Sequence, residues 1–457
     1  MAQRKGRRLL LVPLPLQGHI NPMLQLAQIL YTKGFSITII HPSFNSPNPS
    51  NYPHFNFSCI EDEFVLTESS DLLSFLIELN AKCVEPFKEC VGKLLQSDDA
   101  WEEPVACLIS DAICHFTQGV AHSLQLPRLV LRTSGVSSFV AFAAYPLFRQ
   151  RGYIPTQDCK LEEEVEELPP LRVKDLPLVK TEEPEKYYEL LHNFVKETKG
   201  SLGVIWNSFE ELESPALTKL GKEFSIPMFP IGPFHKYFPS SSSSSSLISQ
   251  DQTSITWLDT HKHNSVVYVS FGSLAAMTET EFLEIAWGLA NSKHPFLCVV
   301  RPGLIKGSEW LEALPSGFVE NLEGRGLFVK WAPQLEVLAH SAVGAFWTHN
   351  GWNSTMESIC EGVPMICMPF FTDQKVNARY VSHVWRVGLQ LDERIERGEI
   401  ERSIRRLMDP NVEGKEIRDR ALKLKEEAKI CLQQGGSSSS SLEDLLTYIL
   451  SFTFETS

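Results

Sequence analysis

At 457 residues the chain is longer than one ordinary core, and the usual size of about 100–200 residues per domain gives two or three domains. Hydrophobic residues at 43% and charged residues at 21% exclude general disorder and fibrous repeats, and a formal charge of -14 excludes a broad basic surface for nucleic acid. No apolar run reaches the ~18–20 residues of a membrane span, and the basic start (Arg4, Lys5, Arg7, Arg8) leads only into Leu9 to Val12, so no span or signal peptide is expected. The ten cysteines form no CxxC pair and sit mostly among apolar neighbours, which fits buried free thiols in a reducing cytoplasm.

From Leu9 to His41 the pattern predicts strand, loop, helix and strand, the βαβ unit of a parallel sheet. Asn21 is the expected helix cap, Pro22 takes the first turn, Leu24, Ala27, Leu30 and Tyr31 form a buried stripe, and Gly34 ends it. Val105 to Ser110 and Leu129 to Leu131 read as further strands around a helix from Phe116 to Leu124. The serine run Ser240 to Ser246 cannot bury a core and marks an interdomain linker over 240–250. Alternation then resumes with strands at Val266 to Ser270, Phe296 to Val300, Leu327 to Lys330 and Val343 to Trp347, and a helix from Glu279 to Asn291. Gly435, Gly436 and Ser437 to Ser441 read as a flexible break before an amphipathic last helix built on Leu442, Leu445, Leu446, Ile449 and Leu450.

The expected organisation is therefore an α/β domain over 1–239, a second over 251–436, and a terminal helix within 437–457 that docks back on the first. Open parallel sheets bind ligands beyond the carboxyl ends of their strands, which puts a site between the halves. Neither half has GxGxxG after its first strand or a GxxxxGK[ST] loop, so dinucleotide reduction and ATP chemistry lose support.

From Trp331 to Gln374 the chain reads WAPQLEVLAHSAVGAFWTHNGWNSTMESICEGVPMICMPFFTDQ. This block resembles, from end to end, the signature of plant secondary-product UDP-glycosyltransferases. QGHINP, SFGS at Ser270 to Ser273 and GVIWNSFEELE at Gly203 to Glu213 are similar to the family as well, so the likeness spans nearly the whole chain. The GGSSSSSLEDLL tail resembles the subfamily containing steviol-glycoside and cytokinin glucosyltransferases. The resemblance implies two Rossmann-like domains facing a cleft, the GT-B architecture. It also implies UDP-glucose as donor co-substrate, with no other cofactor.

Chemistry gives the block the same purpose. The turn His349-Asn350-Gly351 leads into a helix near Trp352, whose free N–H groups and dipole suit a diphosphate. The family places the phosphates on His349, Asn353 and Ser354 with Ser273, the uracil on Trp331 and Ala332, and the ribose on Gln334 and Glu357. It places the sugar on Asp373 and Gln374. Residue by residue, plainer roles stay open: Asn353, Ser354 or Asp373 as helix caps, Trp331 as packing, and Ser354 with Glu357 as an S-x-x-E capping box.

His19 stands at the carboxyl edge of the first sheet, where a neutral imidazole can take a proton from an acceptor hydroxyl, and Asp111 ends a strand of that sheet. The family uses the matching pair as base and orienting carboxylate, although Asp111 as a helix cap is an alternative. A single displacement at an α-linked donor inverts the anomeric centre and gives a β-glucoside. No HExxH or clustered Asp motif calls for a metal. Ser134, Ser137, Phe139 and Phe142, with Tyr145 beyond, are the candidate acceptor wall or else core. The expected function is a monomeric, cytoplasmic glucosyltransferase acting on a hydroxyl or carboxyl of a small hydrophobic metabolite such as a terpenoid, flavonoid or other phenolic, or on a sugar already attached. A UDP-sugar-binding protein without transfer activity is the alternative.

Overall fold

The computed structural model describes residues 7–60, 72–96, 103–238, 250–391 and 394–452. The serine run and the basic start before Arg7 lie outside the described residues. Two wholly parallel sheets carry the fold. The first contains β1 (Arg8–Val12), β2 (Ser36–His41), β3 (Asn56–Cys59), β4 (Val105–Asp111), β5 (Arg128–Arg132), β6 (Val204–Trp206) and β7 (Met228–Pro230), in the order β3-β2-β1-β4-β5-β6-β7. The second contains β8 (Val266–Ser270), β9 (Phe296–Val299), β10 (Gly326–Val329), β11 (Val343–Thr348), β12 (Met365–Cys367) and β13 (Gly388–Gln390), in the order β10-β9-β8-β11-β12-β13.

Alternation along each strand builds a core on both faces of each sheet. Leu10 and Val12 of β1 join one cluster while Leu9 and Leu11 join another; Tyr268 and Val269 of β8 part in the same way. Register pins the strand ends: Leu9 faces Cys107 between β1 and β4, and Thr348 faces Ser270 between β11 and β8. The strand order reverses between β1 and β4 in one sheet and between β8 and β11 in the other. Loops leaving neighbouring strands diverge there and open a crevice.

Three local readings change. The first helix runs Gln17–Thr32, so it begins four residues before Asn21, and Pro22 lies inside it. A helix whose first turn has no obligatory donor partners can start ahead of a proline, and Pro22 then merely removes one later bond. Tyr31 is 40% exposed, because it falls beyond the edge of the stripe formed by Leu24, Ala27 and Leu30. The serines at 437–441 are helical: the last helix is Ser437–Ser451, and Ser438 donates from Oγ to the Gly232 carbonyl at 2.6 Å. Gly436 makes the preceding turn, where a Cβ would stand 2.4 Å from the Ile430 carbonyl oxygen. Leu442, Leu445 and Ile449 of this helix pack in the core cluster that holds Leu9 and Leu11 of β1. Among the cysteines, Cys59 and Cys159 are exposed, whereas Cys107, Cys298 and Cys367 are buried in strands.

Contacts between the halves gather around the WNSFEELE segment. The Trp352 indole N–H donates to the Asn207 carbonyl at 2.8 Å, and Phe209 and Leu212 belong to a core cluster formed mainly by the second sheet. Glu213, 1% exposed, accepts from the Val136 N–H at 2.9 Å, the Ser137 N–H at 2.8 Å and the Ser208 hydroxyl at 2.7 Å. It thereby satisfies the free amino end of helix Val136–Ala143, and burial raises its pKa. Glu213→Ala leaves these donors buried and unpaired, and should lower unfolding free energy by about 2–3 kcal/mol. Urea denaturation measures this; an unchanged midpoint would contradict the assigned role.

Candidate active site

His19 lies in the first turn of helix Gln17–Thr32, just after β1, with its side chain 21% exposed. Its Nδ1 is 2.7 Å from Asp111 Oδ2 at the end of β4, and Asp111 is 1% exposed. The other carboxylate oxygen accepts from the Ile113 N–H at 2.9 Å. Asp111 does not cap the next helix, which starts only at Thr117. With a carboxylate on Nδ1, that nitrogen carries the proton and Nε2 is left as a base toward the cavity that His19 lines. Thr133 Oγ1 stands 2.9 Å from the same Nδ1, a contact that no motif had marked.

All the residues proposed for the donor line one cavity of about 540 Å³, which is also lined by His19. The SFGS turn is held from behind by Arg301, whose Nε donates to the Gly272 carbonyl at 3.0 Å and whose Nη2 donates to Ala275. Gly272 has a φ of +72°, and a Cβ there would stand 2.5 Å from His349 Nε2. A Cβ at Gly351 would meet the same atom at 2.5 Å, so the imidazole fits only between two glycines. Burial pushes His349 down to about 4, so the ring is neutral at physiological pH. Beside it, helix Trp352–Glu361 begins after Gly351 with no side-chain cap, which leaves its first amides open to an anion.

Several side chains on this helix serve other ends than their motif suggested. Trp352 is 3% exposed and its indole is used between the halves, so what it can offer a ligand is its backbone. The Asn353 amide donates across the cleft to the Gly18 carbonyl at 2.8 Å. Ser354 is the third helical residue and therefore not a cap; it accepts from Gln334 Nε2 at 2.9 Å. Glu357 accepts from the same nitrogen at 2.7 Å, which rules out the capping box. Burial raises Glu357 to about 7, opposed by the hydrogen bond from Gln334. Tyr268 OH in turn donates to Gln334 Oε1 at 3.2 Å.

At the end of the block, Asp373 opens helix Asp373–Arg379 and accepts from the Thr372 hydroxyl at 2.9 Å and from Asn377 Nδ2 at 3.2 Å. Burial raises its pKa, while His19 and Arg132 across the cavity lower it. Gln374 Oε1 accepts from the Phe370 N–H at 2.9 Å and the Phe371 N–H at 3.3 Å, so its oxygen shapes the loop and its amide group remains for a ligand. Trp331 and Ala332 lie between β10 and helix Gln334–Ala339, at the far end of the block.

The acceptor wall is only partly the predicted one. Ser134 and Phe142 line the cavity; Ser137 and Phe139 do not. Helical rotation turns Phe139 inward against Trp206 and Phe224, with ring centroids 5.6 and 5.4 Å away, and Ser137 is fixed by Glu213. Tyr145 stacks near Tyr188 instead, centroids 5.5 Å apart. Further apolar lining of the cavity comes from Leu72 and Leu76 of helix Leu72–Lys82 and from Tyr187, Leu190, Leu191 and Phe194 of helix Pro184–Lys199. The last four have i, i+3, i+4, i+7 spacing, a signal present in the sequence but silent on which side faces a ligand.

Residues 248–417 match the family model described as UDP-glucoronosyl and UDP-glucosyl transferase. UDP-glycosyltransferase 76B1 of Arabidopsis thaliana is 53% identical over 97% of this chain and 98% of its own length. UDP-glycosyltransferase 76G1 of Stevia rebaudiana is 49% identical over 98% of both chains. Among solved structures, Phytolacca americana UGT2 complexed with UDP-2fluoro-glucose and pterostilbene is 28% identical with a TM-score of 0.81, covering 97% of this chain and 99% of that one. A UDP-glucose: anthocyanidin 3-O-glucosyltransferase in complex with UDP is 26% identical with a TM-score of 0.83, covering 98% and 99%. With two parallel-sheet domains in the GT-B arrangement and full-length identity near half, the chain belongs to the plant UDP-glycosyltransferases.

Proposed function

We infer that this enzyme transfers glucose from UDP-glucose to a hydroxyl of a small, largely apolar acceptor, with inversion. The observation that carries the reading is the His19–Asp111 contact of 2.7 Å at the switch point of one sheet, lining the same cavity as the uncapped helix end at the switch point of the other. The acceptor oxygen forms its bond to the anomeric carbon on the face opposite UDP, and its proton passes to His19 Nε2. Asp111 stabilises the resulting imidazolium. The bond to the diphosphate breaks, and the charge left on UDP is met by the amides of Trp352 and its successors, with Ser273 and neutral His349 as donors. Trp331 and Ala332 take the uracil, Gln334 and Glu357 the ribose, and Asp373 with the Gln374 amide the glucose hydroxyls.

The UDP-2fluoro-glucose and pterostilbene named for the Phytolacca americana relative support a glucose donor and a small acceptor. The leucine, tyrosine and phenylalanine wall supports an apolar acceptor body, of the kind terpenoids, flavonoids and other phenolics present.

His19→Ala should reduce transfer by about 100- to 10,000-fold while UDP still binds, since the base and the nucleotide site stand on different domains. Turnover assays beside UDP calorimetry decide this; a folded variant with near-normal turnover would defeat the assignment.

The ribose role of Glu357 has a pH signature. Its folded pKa, about 7, lies above the ordinary 4.5, so its protonated form favours the fold and empty-protein stability falls as pH rises between those values. Ribose hydroxyls donate to the ionised form, so uridine affinity should rise through about pH 7. Glu357→Gln should flatten both profiles and weaken uridine at least ~10-fold at alkaline pH, or about 1.4 kcal/mol. Uridine affinity unaltered by the substitution would count against the ribose contact.

A further inference from the structure

The acceptor side of the cavity is apolar or neutral but for one permanent charge. Among the described residues of the first domain that line it there is no carboxylate, and Arg132 is the one arginine or lysine. Arg132 ends β5 and is 4% exposed. Its guanidinium carbon stands 4.6 Å from the Phe139 ring centroid and 5.0 Å from that of Phe194. Nη2 donates to Ser134 Oγ at 2.8 Å, and Nε is buried without a partner. Asp111 and Asp373 act on it only from a distance, and it forms no ion pair among the described residues. Burial pushes it down to about 10, so it stays cationic.

A buried guanidinium lacking a carboxylate is an expensive arrangement, and its planar fork matches a carboxylate in two parallel hydrogen bonds. Two aromatic rings within 5.0 Å hold the guanidinium in place, which reduces the ordering that binding requires. Ser134 satisfies one nitrogen with a neutral oxygen, and the opposite charges of Asp111 and Asp373 act on the guanidinium without touching it. Thr133, the residue just after β5, touches His19, so base and cation flank the same stretch of cavity wall.

Resting on the transferase reading above, we propose that Arg132 selects acceptors bearing a carboxylate, which it holds while a separate hydroxyl of the same molecule reaches His19. The carboxylate is then occupied by the guanidinium, so the favoured product is a glucoside at the hydroxyl and not a glucose ester. The apolar body of the acceptor lies against Phe142, Leu190, Leu191 and Phe194.

The test compares para-hydroxyphenylacetate, para-coumarate and mandelate with their methyl esters, using UDP-glucose and the full-length enzyme. Each ester keeps the hydroxyl and removes the charge. The acids should show kcat/KM at least about tenfold above their esters, chiefly through KM, and the products should be hydroxyl-linked by NMR. Arg132→Met should erase that ratio and Arg132→Lys retain part of it, with UDP affinity unchanged. Esters equal to or better than acids in the unaltered enzyme would overturn the proposal without any variant. A preference that survives in folded Arg132→Met would overturn it too, leaving Arg132 as packing for Phe139 and Phe194. If UDP-glucose binds but no acid, ester or neutral phenol is glucosylated, the transferase reading falls and this inference falls with it.

Discussion

Pro22 has no N–H, so the carbonyl of Gly18, four residues earlier in the first helix, has no helical donor. The donor that takes its place is the Asn353 amide at 2.8 Å, from the first turn of the helix whose uncapped amino end lines the cavity. One hydrogen bond thus ties the residue before the base to the anion-binding end of the other domain. The QGHINP and HNGWNS segments are halves of one contact, which sets His19 against the uncapped end of helix Trp352–Glu361. The Trp352 indole on Asn207 and the Ser138 hydroxyl on Asn377, at 2.9 Å, hold the same approach from either side.

Around that contact the site separates charge by burial. His349 is held neutral between glycines, so it can donate to a phosphate without becoming a fixed cation. The carboxyl groups of Asp373 and Glu357 line the cavity and both are raised by burial, so a ligand that donates hydrogen bonds to them favours their charged forms. Arg132 is the counterpart on the acceptor side, with no matching carboxylate in contact.

The parallel sheets and the donor block were legible because their signals are local: apolar runs bounded by turns, and a contiguous stretch from Trp331 to Gln374 whose residues line one cavity. The His19–Asp111 pair was legible because Asp111 ends β4 and His19 opens the helix that follows the neighbouring β1, as sheet order requires. Local spacing left roles open, or misled, where a residue's job is set by another element. Ser354 and Glu357 have capping-box spacing, but Gln334, from a different helix, claims both. Phe139 and Phe142 look alike in sequence, yet Trp206 and Phe224 draw one into the core while the other reaches the cavity. The serines at 437–441 read as a break because serine is a weak helix former, and the fold overrides that by packing Leu442 and Leu445 into the core cluster of the first sheet.

The proposed reaction, with a base on one sheet and a leaving group held by the other, is a single displacement in which the acceptor oxygen and UDP take opposite faces of the anomeric carbon. Proton NMR of the product formed from UDP-glucose, recorded before any anomeric equilibration, reads the outcome in the coupling constant of the anomeric proton. The large coupling of a β-glucoside is the predicted result. An α-glucoside would require a second displacement or a same-face route, and would contradict the assignment of His19 as the sole base acting across the cleft.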